Sequence, residues 1–170
     1  LNSRIYLRVP TINELDYRRK LLSDADTMSY NVDYGVNGTG CCPATREQSE
    51  SWYRNWFSAP DRYYAYIIRS DDNQPVGDVD IHYDRKYDTY LIGVVIEAKY
   101  RGNGYSEEAL RLLADKAFYE LRLEEIADAF PADRVAAERA FQKVGFVRTS
   151  GDFVVLTKKS HEERRSTSSP

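Results

Sequence analysis

The stretch Asp78-Val79-Asp80-Ile81-His82 sets an acid or an imidazole at every second position. Period two is the strand repeat, so Asp78, Asp80, His82 and Asp84 share one face and Val79, Ile81 and Tyr83 the other. Asp80 next to His82 makes a carboxylate–imidazole pair, with an imidazole that titrates near neutrality and could act as a general base. A surface strand with solvated side chains is the competing reading. Tyr90 could relay a proton through water, and Glu97 is a further carboxylate at a strand end. Residues 61–100 hold eight Asp/Glu and five Lys/Arg. If the acidic face lines a cleft, that cleft attracts a cation.

A second constellation lies downstream, in KYRGNGYSEEAL from Lys99 to Leu110. Gly102 and Gly104 stand between an apolar run and a helical pattern. Glycine tolerates positive φ and lets another group approach the backbone. The free N–H groups of a helix start can then receive phosphate oxygens, with Arg101 as a charged donor. The P-loop string is absent, and Glu107 occupies the third position of the dinucleotide fingerprint. An ordinary tight turn stays open on these residues alone. Cys41 and Cys42 are adjacent, so a bridge between them would close almost no loop. They suit two thiols in a loop better than a covalent acyl carrier. His82 and His161 are the only histidines, too few and too far apart for a closed zinc site, and no metal is expected.

Arg4–Arg8, Tyr63–Arg69, Pro75–Tyr83, Thr89–Glu97, Glu125–Phe130, Phe146–Thr149 and Phe153–Thr157 have strand patterns. The run in Thr89–Glu97 alternates little, as expected of a strand covered on both faces. Thr11 with Glu14 and Thr45 with Gln48 form capping boxes before two helices. The first carries its apolar stripe to about Ala25, and the second presents Trp52, Trp56 and Phe57. Residues 30–43 form a glycine-rich loop whose tyrosines could sort substrates. Helical patterns follow over Glu107–Glu120 and Val135–Val144, the latter stopped by a left-handed Gly145. The order β-α-α-β-β-β-α-β-α-β-β predicts a mixed α/β (α+β) fold. It has about seven strands in a mostly antiparallel twisted sheet, with helices on both faces. Residues 1–158 form one domain. Residues 159–170 lack apolar anchors and are expected to be a disordered tail.

The 170 residues are 30% charged and 42% apolar with a net charge of −3, the profile of a soluble globular protein. No dense Lys/Arg block exists, which argues against nucleic acid. No apolar run approaches the ~20 residues of a membrane span, and no secretory signal is evident. A cytoplasmic location is expected. Most of the 14 tyrosines suit strand packing.

The stretch IGVVIEAKYRGNGYSEEALRLLADKAF resembles the central acetyl-CoA-binding motif of the GNAT superfamily of N-acetyltransferases, Arg/Gln-x-x-Gly-x-Gly/Ala. Arg101, Gly104 and Ser106 hold the marked positions, with Ser106 departing from the pattern. RVAAERAFQKVGF resembles the second family segment through Ala137, Lys143, Gly145 and Phe146. The opening RIYLRVPTINEL is similar to the ribosomal-protein-acetyltransferase-like branch. The resemblance runs over residues 4–158. It implies acetyl-CoA as acyl donor and a splayed central strand pair that admits the thioester. Val94, Val95 and Ile96 would pair with the pantetheine arm. Asn103, Gly104, Tyr105 and Ser106 would give N–H groups to the pyrophosphate, with Arg101 and Gly102 shaping the turn. The N–H of Val95 or its neighbour would meet the oxyanion. Two family positions depart: Phe141 stands where many relatives carry a thiol-protonating tyrosine, and Arg134 stands for the usual asparagine. The expected activity is transfer of acetyl to a primary amine. The amine would be a small cationic one, an amino acid or aminosugar derivative, or a peptide N-terminus. A non-catalytic acyl-CoA-binding or sensing domain is the alternative, followed by a structural domain with an empty cleft. A homodimer is permitted but not required.

Overall fold

The computed structural model describes residues 3–33 and 35–167. Its strands are β1 (Ile5–Arg8), β2 (Tyr63–Arg69), β3 (Pro75–Asp84), β4 (Thr89–Ile96), β5 (Glu125–Ala129), β6 (Val147–Arg148) and β7 (Phe153–Thr157). They build a seven-stranded sheet in the order β1-β2-β3-β4-β5-β7-β6. Every pairing is antiparallel except β4 with β5. The helices are α1 (Asp16–Ser23), α2 (Arg46–Trp56), α3 (Tyr105–Asp115), α4 (Val135–Val144) and α5 (Lys158–Thr167). This is the expected mixed fold.

Local chemistry accounts for the element ends. Gln48 N–H donates to the Thr45 hydroxyl while Thr45 N–H donates to the Gln48 side chain, at 3.2 and 2.9 Å, and α2 starts there. The Thr11–Glu14 pair caps a 3-10 turn, Ile12–Glu14, and α1 begins only at Asp16. Gly145 takes φ +115° and closes α4. The predicted Glu107–Glu120 helix divides into α3 and one π-helical turn, Lys116–Glu120.

The sheet separates two apolar layers. On one face Tyr63, Ala65, Ile67, Val79, Ile81 and Ile92 pack with Leu110 and Leu113 of α3 and Phe141 and Val144 of α4. On the other, Tyr64, Tyr66 and Ile68 pack beneath Tyr17 of α1 and Trp52 and Trp56 of α2. Tyr63, Tyr64 and Tyr66 are all buried, as strand packing requires.

Two expectations fail here. First, β4 is not covered throughout, since Ile92 is its one buried residue. A single register pair, Leu91 with Ala127, joins β4 to β5. From Ile92 onward the strands part, which leaves a gap along one edge of β4. Second, α5 starts at Lys158 and takes in residues 159–167 of the expected tail. His161 supplies the anchor that an apolar count overlooks: it is 5% exposed, its Nε2 lies 2.8 Å from Asp115 Oδ1, and its ring is 5.4 Å from Phe118. Residues 168–170 lie outside the described residues. His161→Ala removes both contacts and should cost about 2 kcal/mol of unfolding free energy in urea titration. An unchanged midpoint would mean that α5 contributes nothing to the domain.

Candidate functional site

The site begins with the alternation of β4. Glu97 N–H donates to Val76 O on β3 at 2.9 Å. The Val95 carbonyl also lies towards β3, since a Cβ on Gly77 would stand 2.0 Å from it. The β3–β4 register runs unbroken from Gly77–Ile96 to Asp84–Thr89. Neighbouring backbone groups point oppositely along a strand. The Val94 and Ile96 amides therefore face the gap. Of the two amides expected as candidates, that of Val95 and that of its neighbour, the neighbour's at Val94 is the one that faces the gap.

Beyond β4, a 3-10 turn over Ala98–Tyr100 leads into the glycine pair. Gly102 and Gly104 both take φ +78°. A Cβ on Gly102 would meet nothing within 4 Å, and one on Gly104 only the Arg4 guanidinium at 3.3 Å. The space over the turn is open. Gly104 caps α3 without any side-chain bond, so the first N–H groups of α3 at Tyr105, Ser106 and Glu107 have no intrahelical acceptor. The turn opens on a cleft of about 480 Å³ that Val94, Val95, Ile96, Arg101, Ser106 and Phe141 help to line. An anion that needs N–H donors and close approach fits this cradle, as the pyrophosphate of acetyl-CoA would.

Arg101 takes a role other than phosphate donor. Its guanidinium donates to the Asp26 and Thr27 carbonyls at 3.1 and 2.6 Å. It shapes the turn and ties it to the segment after α1. Asn103 donates its side-chain amide to Tyr100 O at 2.9 Å, and its carbonyl accepts from Arg4 at 2.8 Å. Arg4, which sequence reasoning did not single out as a site residue, thus braces the turn from β1. Its ion pair with Glu108, at 3.0 Å, holds it there.

On the sheet face beneath α1 and α2 stand Asp78, Asp80 and His82. Asp80 Oδ1 lies 2.9 Å from His82 Nδ1. Asp80 pairs across the sheet with Gly93, where a Cβ would come 2.2 Å from Asp80 Oδ2. Glycine at 93 is what allows the carboxylate to lie against β4. Asp78 Oδ2 accepts from the Tyr64 hydroxyl at 2.7 Å. Burial, with the Asp80 charge adding, pushes Asp78 up to about 6. Asp128 on β5 accepts from Ala129 N–H at 2.7 Å. Burial first, then the Asp80 charge, pushes Asp128 up to about 7. Asp80 and Asp128 line a cleft of about 1080 Å³ with Gly93, Val94, Val95 and Arg134. Asp78 and Asp80 line a smaller one of about 180 Å³ with Arg18, Trp52, Trp56 and Tyr64. Val95 and Tyr30 border all three clefts.

The structure sorts the predicted catalytic residues. Asp80 faces the gap. His82 stands behind it, against Trp56 at 5.6 Å, and lines none of the clefts. Its bond to Asp80 raises the imidazole pKa, and Nδ1 is engaged with that carboxylate. The acidic face is half-buried rather than freely solvated, with side-chain exposure of 29% for Asp80 and 34% for His82. Tyr90 pairs with Tyr83, which puts it on the sheet face opposite Asp80 and His82, with its hydroxyl towards Asp61 at 3.5 Å. Glu97 is 4% exposed and bonded to Lys20 and Tyr17 at 2.8 and 3.0 Å. Those partners outweigh burial and hold its pKa below the ordinary value. Cys41 is buried, Cys42 is exposed, and neither lines a cleft.

Asp128 and Gly93 were missed as site residues; Tyr30 was expected as a substrate-sorting tyrosine of the 30–43 loop and does border the clefts, while Tyr34, the other tyrosine of that loop, lies outside the described residues. The Asp80–Gly93 register is a cross-strand fact, and Asp128 has no neighbour in sequence to mark it. With only two histidines, titration of the imidazoles by NMR is direct. In Asp80→Asn the His82 pKa should fall towards its ordinary value, and a curve unchanged from the native protein would refute the pair.

The acetyltransferase (GNAT) domain model matches residues 4–147. The probable N-acetyltransferase YjcK of Bacillus subtilis is 27% identical over 96 residues, 55% of this chain and 53% of that protein. The chain thus matches about half the length of that curated relative. Among solved structures, spermidine N-acetyltransferase from Vibrio cholerae, in complex with CoA and spermine, superposes with a TM-score of 0.78. It is 15% identical, with 95% of this chain and 99% of that chain covered. The aminoglycoside acetyltransferase AAC(6')-Ib in complex with coenzyme A gives 0.75 at 15% identity, covering 95% and 99%. A GNAT-family acetyltransferase from Bacillus anthracis gives 0.70 at 20% identity, covering 92% and 96%. With the family model spanning most of its length and the parted β4–β5 pair beside an uncapped glycine turn, the chain belongs to the GNAT acetyltransferase family.

Proposed function

We propose that the protein is an acetyl-CoA-dependent N-acetyltransferase that acts on small cationic primary amines by direct attack on the thioester. One observation carries the reading: the uncapped glycine turn and the carboxylates Asp80 and Asp128 open onto the same gap, where Val94 and Val95 border both clefts. Acetyl-CoA supplies an acetyl group already activated as a thioester. The N–H groups at the start of α3 hold its pyrophosphate, and the gap edge of β4 pairs with its pantetheine arm. The Val94 N–H faces the gap and stabilises oxyanion charge. Asp80, fixed by His82, attracts the ammonium form of the acceptor. Asp128, with its proton affinity near neutrality, takes a proton from the amine.

The cleft lining favours an acceptor with more than one cationic group. Asp33, Asp80, Asp128, Asp133 and Asp152 line the larger cleft, against Arg134 alone of the basic residues. The names of the structural relatives, a spermidine and an aminoglycoside acetyltransferase, point the same way. A peptide N-terminus offers a single cation and matches this lining less well.

Three outcomes are expected. Gly104→Val puts a branched side chain into the cradle at positive φ, and calorimetry should register at least about a tenfold loss of acetyl-CoA affinity with the circular dichroism kept. Undiminished affinity would sink the cradle. Thiol release should be steady with polyamines and aminoglycosides; coenzyme binding without release on any amine would mark a sensing domain of the same fold. Asp128→Asn should lower kcat by about a hundredfold and flatten the acidic limb of the pH–rate profile. Its stability effect has the opposite sign. A raised carboxyl pKa means the folded state binds the proton more tightly, so native stability falls as pH climbs from about 4 to about 7. The amide removes that decline, which melting curves across this range would record.

A further inference from the structure

Phe141 borders the acetyl-CoA cleft but has no hydroxyl to offer a departing sulfur. Among the described residues five phenols border the clefts, Tyr30, Tyr64, Tyr87, Tyr100 and Tyr105, and a phenol is a far stronger acid than the serine hydroxyls beside them. Tyr64 donates to Asp78 at 2.7 Å. Tyr100 and Tyr105 stand at the glycine turn, under Lys99 and Arg4. Tyr87 meets Phe153 edge-on at 4.8 Å and borders the larger cleft alone. Tyr30 differs in that it borders all three clefts, beside Val95 each time. Its hydroxyl makes no hydrogen bond among the described residues.

We propose that Tyr30 donates the proton that the coenzyme A sulfur takes up as the carbon–sulfur bond breaks. The assignment rests on the acetyltransferase reading. Tyr30 belongs to the 3-10 helix Thr27–Asn31, and that helix is anchored to the coenzyme turn. Arg101 grips the Asp26 and Thr27 carbonyls, and Ala98 N–H donates to the Thr27 hydroxyl at 2.9 Å. Thr27 is fully buried. The ring is therefore positioned by the same residues that shape the phosphate cradle. Arg134 lies 5.0 Å over the ring, so a cation is in place to stabilise a phenolate. This gives a use to the arginine found where the family usually has asparagine.

An acceptor bound as its ammonium loses two protons on its way to the amide: one leaves to solvent before attack, and the second passes to Asp128 as the carbon–nitrogen bond forms. The bonding pair leaves with sulfur, and the Tyr30 hydroxyl proton moves to it, giving a thiol and a phenolate. The proton that Asp128 took from the amine then returns to the phenolate. The products are the amide, the thiol and the one proton released to solvent, with no net change in the protein. Tyr30 lies in the field of Asp78, Arg134, Asp80 and Asp128; the residue is 41% exposed, and the partial burial of its hydroxyl with the Asp78 charge raises its pKa. The phenol thus holds its proton at neutral pH and serves as a donor rather than a base.

Tyr30→Phe tests this with the full-length protein. A hydrogen bond from Tyr30 stabilises the thiolate form of bound coenzyme A and lowers its thiol pKa. Ultraviolet titration of the thiolate should give a higher bound-thiol pKa in the variant. Calorimetry at alkaline pH should find that the preference for coenzyme A over desulfo-coenzyme A shrinks, with desulfo-coenzyme A affinity unchanged. In turnover kcat should fall by about a hundredfold with little change in amine KM. The deficit should narrow with a 4-nitrothiophenyl acetyl donor, whose leaving group needs no proton. Adding Phe141→Tyr to the variant should recover part of the rate. An unchanged thiol pKa, or a loss confined to amine KM, would overturn the role of Tyr30 and leave the acetyltransferase reading intact. A native protein that binds coenzyme A but acetylates no amine would overturn both.

Discussion

The structure depends on the parting of β4 and β5 after Leu91 and Ala127. A sheet interior normally saturates its backbone, because an unpaired buried amide costs free energy. Here the register stops at one pair, and β4 runs on to Ile96 with a free edge. That edge supplies unpaired amides and a passage between the two faces of the sheet. The glycine turn opens from the α3 side, and Asp78 and Asp80 approach from the α1–α2 side. Without the gap, these would be two unrelated clefts separated by a strand.

Close backbone approach recurs wherever this arrangement is tight. Gly93 lets Asp80 lie flat on β4, and Gly77 admits the Val95 carbonyl. Gly102 and Gly104 keep the cradle open by their left-handed backbone. The carboxylates show the cost of the site. Asp78 and Asp128 are held where burial opposes their charge, and the nearby Arg18 and Arg134 lie over Trp52 and Tyr30 rather than in ion pairs with them. Buried charge without a paired cation destabilises a fold, and a bound ammonium would offset it. Arg101 joins the two halves, since one guanidinium shapes the coenzyme turn and holds the segment that bears Tyr30.

Much of this was legible in the chain. Strands β2 and β7 and helix α4 fall at their predicted bounds, because period-two runs, a Pro break and the Gly145 stop are local signals. The glycine turn was legible for the same reason, since positive φ and an uncapped helix start are properties of a few adjacent residues. Asp80 beside His82 followed from spacing alone, and the structure joins them at 2.9 Å.

Tertiary structure decided the rest. Which carboxylate meets the gap depends on register and on the partner strand, so His82 gave way to Asp80, Tyr90 fell on the opposite face, and Asp128 arrived from a separate strand. Arg101 found carbonyls after α1 that no local rule connects to it. His161 became an anchor because Asp115 and Phe118, more than forty residues earlier, await it. Local sequence set the backbone conformations, since φ preference, capping and periodicity act over a few residues. The proton affinities and partners of the side chains come from burial and from charges distant in sequence, which exist only once the chain has packed.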